Sequence, residues 1–268
     1  MSGGNGSCVL IRTGAWALFL DVDGTLLEIA KRPDAVRVSE RLRHALIYAS
    51  ERECGALALI SGRSLADLDR LFEPQTFPAA GVHGMERRDA RGHVTRLAVE
   101  PRDLDDARAR LGPLKTASPG ILIEDKGCAL AVHYRQAMHL ESEIAATVHS
   151  VASPLQPRFH VQPGKCVLEI KPAGCSKGSA IEAFMNEPPF AGRLPVFAGD
   201  DDTDEAGFAV VNALGGVSVH VGYSRPTAAH WRLADVNAVI RWLAAPHQPH
   251  GKPIAAAERS DGSRADDT

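Results

Sequence analysis

Apolar runs and helical repeats take turns along the first hundred residues. "AWALFLDV" is apolar at every position up to Asp21, the pattern of a strand covered on both faces in a parallel sheet. From Ser39 to Arg52, Leu42, Leu46 and Ile47 recur at helical spacing and predict a helix. "GALALISGR" predicts a second buried strand with a polar end, "SLADLDRLF" a helix with Ser64 as N-cap, and "FPAAGVHGMERR" a third strand. Strand, helix, strand, helix, strand is the grammar of an α/β fold with a doubly wound parallel sheet, Rossmann-like in its wrapping.

The texture then changes. "PRDLDDARARLGPLKTA" predicts a charged helix, and "GILIEDKGCALAVHYR" two antiparallel strands around Lys126-Gly127. "AMHLESEIAATVHSVA" predicts another helix, and "FHVQPGKCVLEIKP" a hairpin around Pro163-Gly164. Strands joined by tight turns do not continue a parallel sheet, so residues 102–171 read as an inserted α+β cap domain. The α/β texture resumes with a helix "SKGSAIEAFMNE" stopped by Pro188-Pro189, a strand "LPVFAGDD", a helix "TDEAGFAVVNAL" and a last strand "GVSVHV". The core domain is therefore expected at residues 14–101 and 172–245. The small, polar stretch 1–13 and the charged, Ser- and Gly-containing stretch 246–268 are expected to be disordered tails.

Composition narrows the function classes. With 268 residues, 44% of them hydrophobic, the chain has enough apolar material for one large domain or two modest ones. A formal net charge of -3 draws it to neither nucleic acid nor membrane, so an anionic ligand must be held by local cations. Five scattered cysteines, none in a C-x-x-C pair, suit a reducing cytoplasm better than disulfides or zinc. The start shows no basic-then-apolar leader, and no apolar run along the sequence approaches the ~18 residues of a membrane span. A cytoplasmic location is the expectation.

The chemistry gathers at strand ends, where open α/β sheets bind ligands. Asp21 and Asp23, Ser61 to Arg63, His83, and Asp200 to Asp202 all follow predicted strands, and Lys177 opens the helix after the insert. Asp21, Asp23, Asp200, Asp201, Asp202 and Asp204 would crowd negative charge unless a cation compensates it, and an all-oxygen set suits Mg²⁺. A metal beside a carboxylate favours phosphate chemistry: Asp21 can attack phosphorus and Asp23 can move the proton. Gly24 and Thr25 would bring backbone N–H groups to the phosphate, with Lys177 at a helix N-terminus and the Ser61 hydroxyl beside them. A lone D-x-D is as often a turn or N-cap pair. Asp202 reads equally as an N-cap, and His83 as a structural contact.

Taken in order, "DVDGTL", "SGR", Lys177-Gly178 and "GDD" resemble the haloacid dehalogenase superfamily of phosphohydrolases. "GVHGMERR", "EDKGCALAVHYR", "KCVLEIKP", "SKGSAIEAF" and "GDDDTDEAGF" resemble the trehalose-6-phosphate phosphatases, over about Leu18 to Val221. Similarly capped sucrose phosphatases and phosphomannomutases usually carry Asn-Asp where this chain has Thr203-Asp204-Glu205. The resemblance implies Mg²⁺-dependent hydrolysis of trehalose 6-phosphate to trehalose and phosphate through an aspartyl-phosphate. Asp21 would be the nucleophile, Asp23 the general acid/base, and Lys177 a third catalytic group. Mg²⁺ would be held by Asp21, the Asp23 carbonyl and Asp200, with Asp201 and Asp204 supporting. Substrate contacts would come from Asp21, Val22, Asp23, Thr25, Ser61, Gly62, Arg63 and His83 in the core. Glu124, Lys126, Arg135, Lys165 and Glu169 of the cap would face the sugar. The ligand is then a phosphorylated disaccharide, and a trehalose-6-phosphate synthase is expected in the same pathway.

Spacing bears on the cap separately. Lys165, Val167 and Glu169 share one strand face, with Lys165 and Glu169 roughly 13 Å apart at ~3.3 Å per residue, the scale of a disaccharide. His133 and Arg135 share a face with Ala129 and Ala131, leaving room for a ligand; a solvated face is the plainer alternative. Another sugar-phosphate phosphatase, a phosphosugar mutase or a non-catalytic sensor would share part of this pattern. The "TDE" segment and cap strands weigh against the first two, and the paired Asp21 and Asp23 against the third.

Overall fold

The first strand, β1 (Trp16–Leu20), is buried throughout and sends alternate side chains into two apolar layers. Trp16, Leu18 and Leu20 enter one, Ala17 and Phe19 the other. The computed structural model describes residues 16–29, 37–97, 100–164, 166–223, 226–246 and 258–259. The stretch expected as the first tail, 1–13, lies outside these, as does most of 246–268.

α1 (Glu40–Arg52), β2 (Leu57–Ile60), α2 (Leu65–Phe72), β3 (Ala79–Gly81), β4 (Glu86–Arg88) and β5 (Val94–Arg96) follow β1. The middle of the chain forms α3 (Asp105–Leu111), α4 (Leu114–Ala117), β6 (Leu122–Asp125), β7 (Leu130–His133), α5 (Glu141–Ala152), β8 (Phe159–Gly164) and β9 (Val167–Pro172). Then come α6 (Lys177–Met185), β10 (Leu194–Gly199), α7 (Glu205–Ala213), β11 (Val217–Val221), β12 (Trp231–Leu233), α8 (Val236–Ala244) and β13 (Glu258–Arg259).

Two sheets result. The larger has the order β13-β12-β11-β10-β1-β2-β3-β4-β5, parallel from β12 to β3 and antiparallel at both edges. Side chains of α1, α2 and α8 pack on one face, and those of α6 and α7 on the other, so helices cover both faces as a parallel sheet requires. The smaller sheet, β6-β7-β9-β8, is antiparallel throughout. Its own apolar cluster runs from Leu104 to Ile170 and includes Ile144, Val148 and Val151 of α5. Among the described residues, no helix is long and apolar enough to cross a membrane.

Several expectations need correction. "FPAAGVHGMERR" is not one strand: Val82 and His83 take φ of +47° and +54°, and the chain reverses from β3 into antiparallel β4. The charged helix breaks at Gly112-Pro113 into α3 and α4, because proline cannot continue the first helix's hydrogen bonding. The hairpin expected at Pro163-Gly164 turns later, since Gly164 pairs with Val167. "GVSVHV" is not the last strand, as β12, α8 and β13 follow. The short run at Trp231–Leu233 carries too little pattern to read as a strand. In the expected second tail, Glu258 and Arg259 pair with Arg232 and Trp231.

Candidate active site

Strands β10, β1 and β2 lie side by side and parallel, so Asp200, Asp21 and Ser61 leave the sheet at the same edge. From β1 the chain winds towards β2, and from β10 towards β11, so this is the sheet's topological switch point. Gly24, at φ +95°, turns the chain after Asp21, and a Cβ on it would collide with the Asp200 carboxylate. Only glycine lets these two acidic loops approach so closely.

Lys177 begins α6, behind Ser176, whose side chain accepts the Ser179 N–H. Its Nζ lies 2.7 Å from Asp21 Oδ1, 2.7 Å from Asp204 Oδ1 and 4.0 Å from Asp201 Oδ1. The other oxygen of the fully buried Asp204 accepts the N–H groups of Asp200 and Asp201, each at 3.0 Å. Asp201, rather than Asp202, caps the next turn, accepting the Thr203 N–H at 2.8 Å and its hydroxyl at 2.6 Å.

Burial pushes the Asp21 carboxyl up to about 7, with Lys177 pulling against it and Asp200 and Asp201 adding to it. Burial also acts on Asp201, yet Lys177 and Thr203 hold it at about 2. Burial opposes the Lys177 charge, but Asp204 and Asp21 keep its ammonium well above the usual lysine range. One buried cation thus faces three carboxylates.

That imbalance leaves room for a second cation. Carboxylate oxygens of Asp21, Asp200 and Asp204 lie within 4.8 Å of one another. Asp21 Oδ2 is buried and has no hydrogen-bond partner, a costly state for a carboxylate oxygen unless something else engages it. An all-oxygen donor set of this kind fits a hard divalent ion. Of the other expected ligands, the Asp201 carboxylate is engaged by Thr203.

Arg63 forks onto Asp23, with Nε and Nη2 each 2.6 Å from a carboxylate oxygen. The structure therefore places Arg63, expected on the substrate, on the expected acid/base. The Ser61 hydroxyl accepts the Arg63 N–H at 3.1 Å and borders the cavity. Val22 is fully buried in the apolar core and, like the fully buried Thr25, does not line the cavity. The Gly24 N–H, expected to reach phosphate, donates to the Leu27 carbonyl at 2.7 Å.

Above this floor lies a cavity of about 810 Å³, roofed by the smaller sheet. Glu124, Lys126, Arg135 and Glu169 line it, with Ala131, His133 and Val167 on the same strand faces. Leu130, Val132, Leu168 and Ile170 point the other way into the cap core. Glu124 Oε2 is 3.0 Å from His133 Nε2, and that contact holds its carboxyl below the usual range against burial. Arg135 is exposed at the wall. Lys165 lies outside the described residues. His83 lines the cavity from the core side, its Nε2 3.0 Å from Glu169 Oε2.

A trehalose-phosphatase family model matches residues 19–237, most of the chain. The chain belongs to the trehalose-phosphatase family. It is similar to the trehalose-6-phosphate phosphatase of Escherichia coli, 48% identical over 228 residues that cover 85% of each chain. It is also similar to a probable trehalose-phosphate phosphatase of Sinorhizobium fredii, 46% identical over 213 residues and 80% of each. Among solved structures, the C-terminal domain of the C. albicans trehalose-6-phosphate phosphatase aligns over 86% of this chain and 91% of its own, with TM-score 0.77 at 23% identity. A haloacid dehalogenase-like hydrolase of Bacteroides thetaiotaomicron aligns at TM-score 0.62 and 15% identity, covering 84% and 97%. Both likenesses carry the fold.

This trehalose-phosphatase family member has wall residues that its sequence did not single out: Asp67, Arg70 and Leu71 of α2, and Gln162 of β8. The α2 residues sit three and four apart, one helix face, a signal present in a segment read only as a helix capped by Ser64. Glu169 carries a testable pH effect. Burial opposes its charge, but His83 and Lys126 hold its carboxyl well below the usual range. A depressed folded pKa contributes stability that is complete above the unfolded value, about 4.3, and lost as pH falls below it. In Glu169→Gln, urea unfolding at pH 5, 4 and 3 is expected to show an acid slope shallower by up to about 1.4 kcal/mol per pH unit. An unchanged slope would remove the ion pair as its source.

Proposed function

We propose that this chain hydrolyses trehalose 6-phosphate to trehalose and phosphate through an aspartyl-phosphate on Asp21. The observation that carries the reading is the placement of Asp21. It is buried against Lys177 with its second oxygen unpartnered, on the floor of a cavity whose roof presents Glu124, Lys126 and Glu169. Family membership and the similarity to named trehalose-6-phosphate phosphatases support the substrate.

Asp21 attacks phosphorus, and the bond to the sugar oxygen breaks as the Asp21–phosphate bond forms. Asp23 protonates the leaving sugar oxygen, then takes a proton from the water that hydrolyses the acyl-phosphate. Release from the Arg63 fork would free Asp23 for this transfer and free Arg63 for the ligand. Lys177 holds the Asp21 carboxylate in place and opposes charge on the phosphoryl oxygens. Mg²⁺, held by Asp21, Asp200 and Asp204, would neutralise phosphoryl charge when bound. The cap walls exclude water and orient the disaccharide. Four free thiols among the described residues, Cys54, Cys128, Cys166 and Cys175, fit a reducing cytoplasm, where a trehalose-6-phosphate synthase would supply the substrate.

Phosphate release tests this across trehalose 6-phosphate, sucrose 6-phosphate, glucose 6-phosphate and mannosyl phosphoglycerate, with Mg²⁺ and with chelator. Release is expected chiefly from trehalose 6-phosphate and to fall to background on chelation. A preference for another ester would overturn the substrate. Full activity in chelator would overturn the metal requirement.

A further inference from the structure

The seam between the two sheets is closed by a short polar chain. Glu169 on β9 is 4% exposed, and both its carboxylate oxygens are engaged: Oε1 by Lys126 Nζ at 2.9 Å, Oε2 by His83 Nε2 at 3.0 Å. Lys126 also reaches the Gly62 carbonyl at 3.3 Å. Lys126 and Glu169 belong to the cap, Gly62 and His83 to the core. A buried carboxylate is stable only when fully paired, so Glu169 stays where His83 meets it.

The core presents His83 on an unusual backbone. Val82 and His83 both lie in the left-handed region, a genuine outlier for a β-branched residue. The kink is tied down by the Val82 N–H donating to the Arg63 carbonyl and the His83 N–H to the Ser61 carbonyl, both 2.9 Å. The imidazole lies flush on Gly62, where a Cβ would come within 2.7 Å of Nε2. Beside it, Val82 and Met85 of the core pack with Ala129 of the cap, and Cys128 and Cys175 border this cluster. Polar and apolar halves of one contact thus converge on residues 82–85. Strained backbone so firmly held is a reason to look for a task.

We propose that His83 is a positioning residue that acts through Glu169 and sets recognition of the sugar half of the substrate. This rests on the reading of the chain as a disaccharide-phosphate phosphatase. Held from the core side, Glu169 keeps a fixed place in the cavity roof, and its register against the phosphate site below is fixed with it. The charged groups around the imidazole are Glu169, Lys171, Lys177 and Lys126. Burial, Lys171 and Lys177 favour the neutral ring, against Glu169. A neutral ring donates from Nε2 to Glu169 and leaves Nδ1, buried and without a partner, as a bare acceptor. What Glu169 requires at this spot is an N–H donor.

A double-mutant cycle tests the assignment. His83→Leu is expected to raise KM for trehalose 6-phosphate roughly ten- to hundredfold, the size of one hydrogen bond to a charged group, with kcat changed far less. Turnover of p-nitrophenyl phosphate, which lacks the sugar, should fall far less. His83→Gln, which keeps a neutral donor, should restore most of the loss. In the Glu169→Gln background His83→Leu should add little. Equal losses on both esters, no rescue by Gln, or full additivity would each overturn the positioning role. Hydrogen exchange of the ligand-free protein separates this from the substrate reading. His83→Leu should exchange faster over β9 and the 126–129 turn, and unchanged exchange there would overturn the seam contact itself. Faster exchange in a protein inert towards trehalose 6-phosphate would overturn the substrate reading and leave the seam standing.

Discussion

Asp21→Asn is expected to lower phosphate release by at least ~10⁴-fold, the scale seen when a nucleophile is removed from a site whose other parts remain. The asparagine amide matches the carboxylate in shape but is far too weak a nucleophile to form the acyl-phosphate. The fold should survive. Asp21 sits with Asp200 and Asp201, and burial has already pushed its carboxyl up to about 7, so removing its charge relieves repulsion. The melting temperature should therefore stay level or rise. Acid-quenched enzyme should carry phosphate on the protein in the parent and none in the variant. Activity within a hundredfold of the parent would place the nucleophile elsewhere.

Lys177→Met is expected to damage both activity and stability. The methionine keeps the length of the stem but strips the ammonium from between Asp21 and Asp204, each 2.7 Å away in a buried setting. Removing one partner of a buried ion pair costs about 3–5 kcal/mol, because the remaining charges stay buried. Turnover should fall by roughly 10³-fold, as Asp21 loses its fixed orientation and the phosphoryl oxygens a counter-charge. Added Mg²⁺ should restore part of the stability through Asp21, Asp200 and Asp204, without restoring turnover. Thermal melts and phosphate release, each with and without Mg²⁺, check this. A variant as stable as the parent and active within tenfold would show that Lys177 is a bystander.

The sequence conveyed the sheet's wrapping because parallel strands and their helices announce themselves by period. β1 is apolar on both faces, and α2 begins at a serine that caps it, accepting the Asp67 N–H. The same physics told where the carboxylates would gather, since ligands meet open sheets at strand ends. What period cannot carry is which charged side chains choose one another. Asp23 and Arg63 lie 40 residues apart, and nothing in either segment says that the arginine will fork onto that acid. Nor does the apolar pattern show the reversal at Val82-His83, because its cause is local dihedral geometry held by contacts to Ser61 and Arg63. The cap face was legible as an alternation, but its meaning came only with depth. Leu168 and Ile170 are buried against α5, while Glu169 faces the cavity.

The central strands β1 and β10 are neighbours in the sheet but distant along the chain, and Lys177 reaches Asp21 across 156 positions. On a ribosome, Asp21 emerges long before anything that can pair with it. A nascent chain released before α6 holds the whole cap and β1 to β5 of the larger sheet, yet of the lysine–carboxylate cluster only Asp21. The intervening cap, with an apolar cluster of its own, can close on itself first and bring the two halves of the sheet together, which shortens the loop that β10 must close. A chain that ends before α6 lacks Lys177, Asp200, Asp201 and Asp204 alike, so truncated products are expected to be catalytically silent.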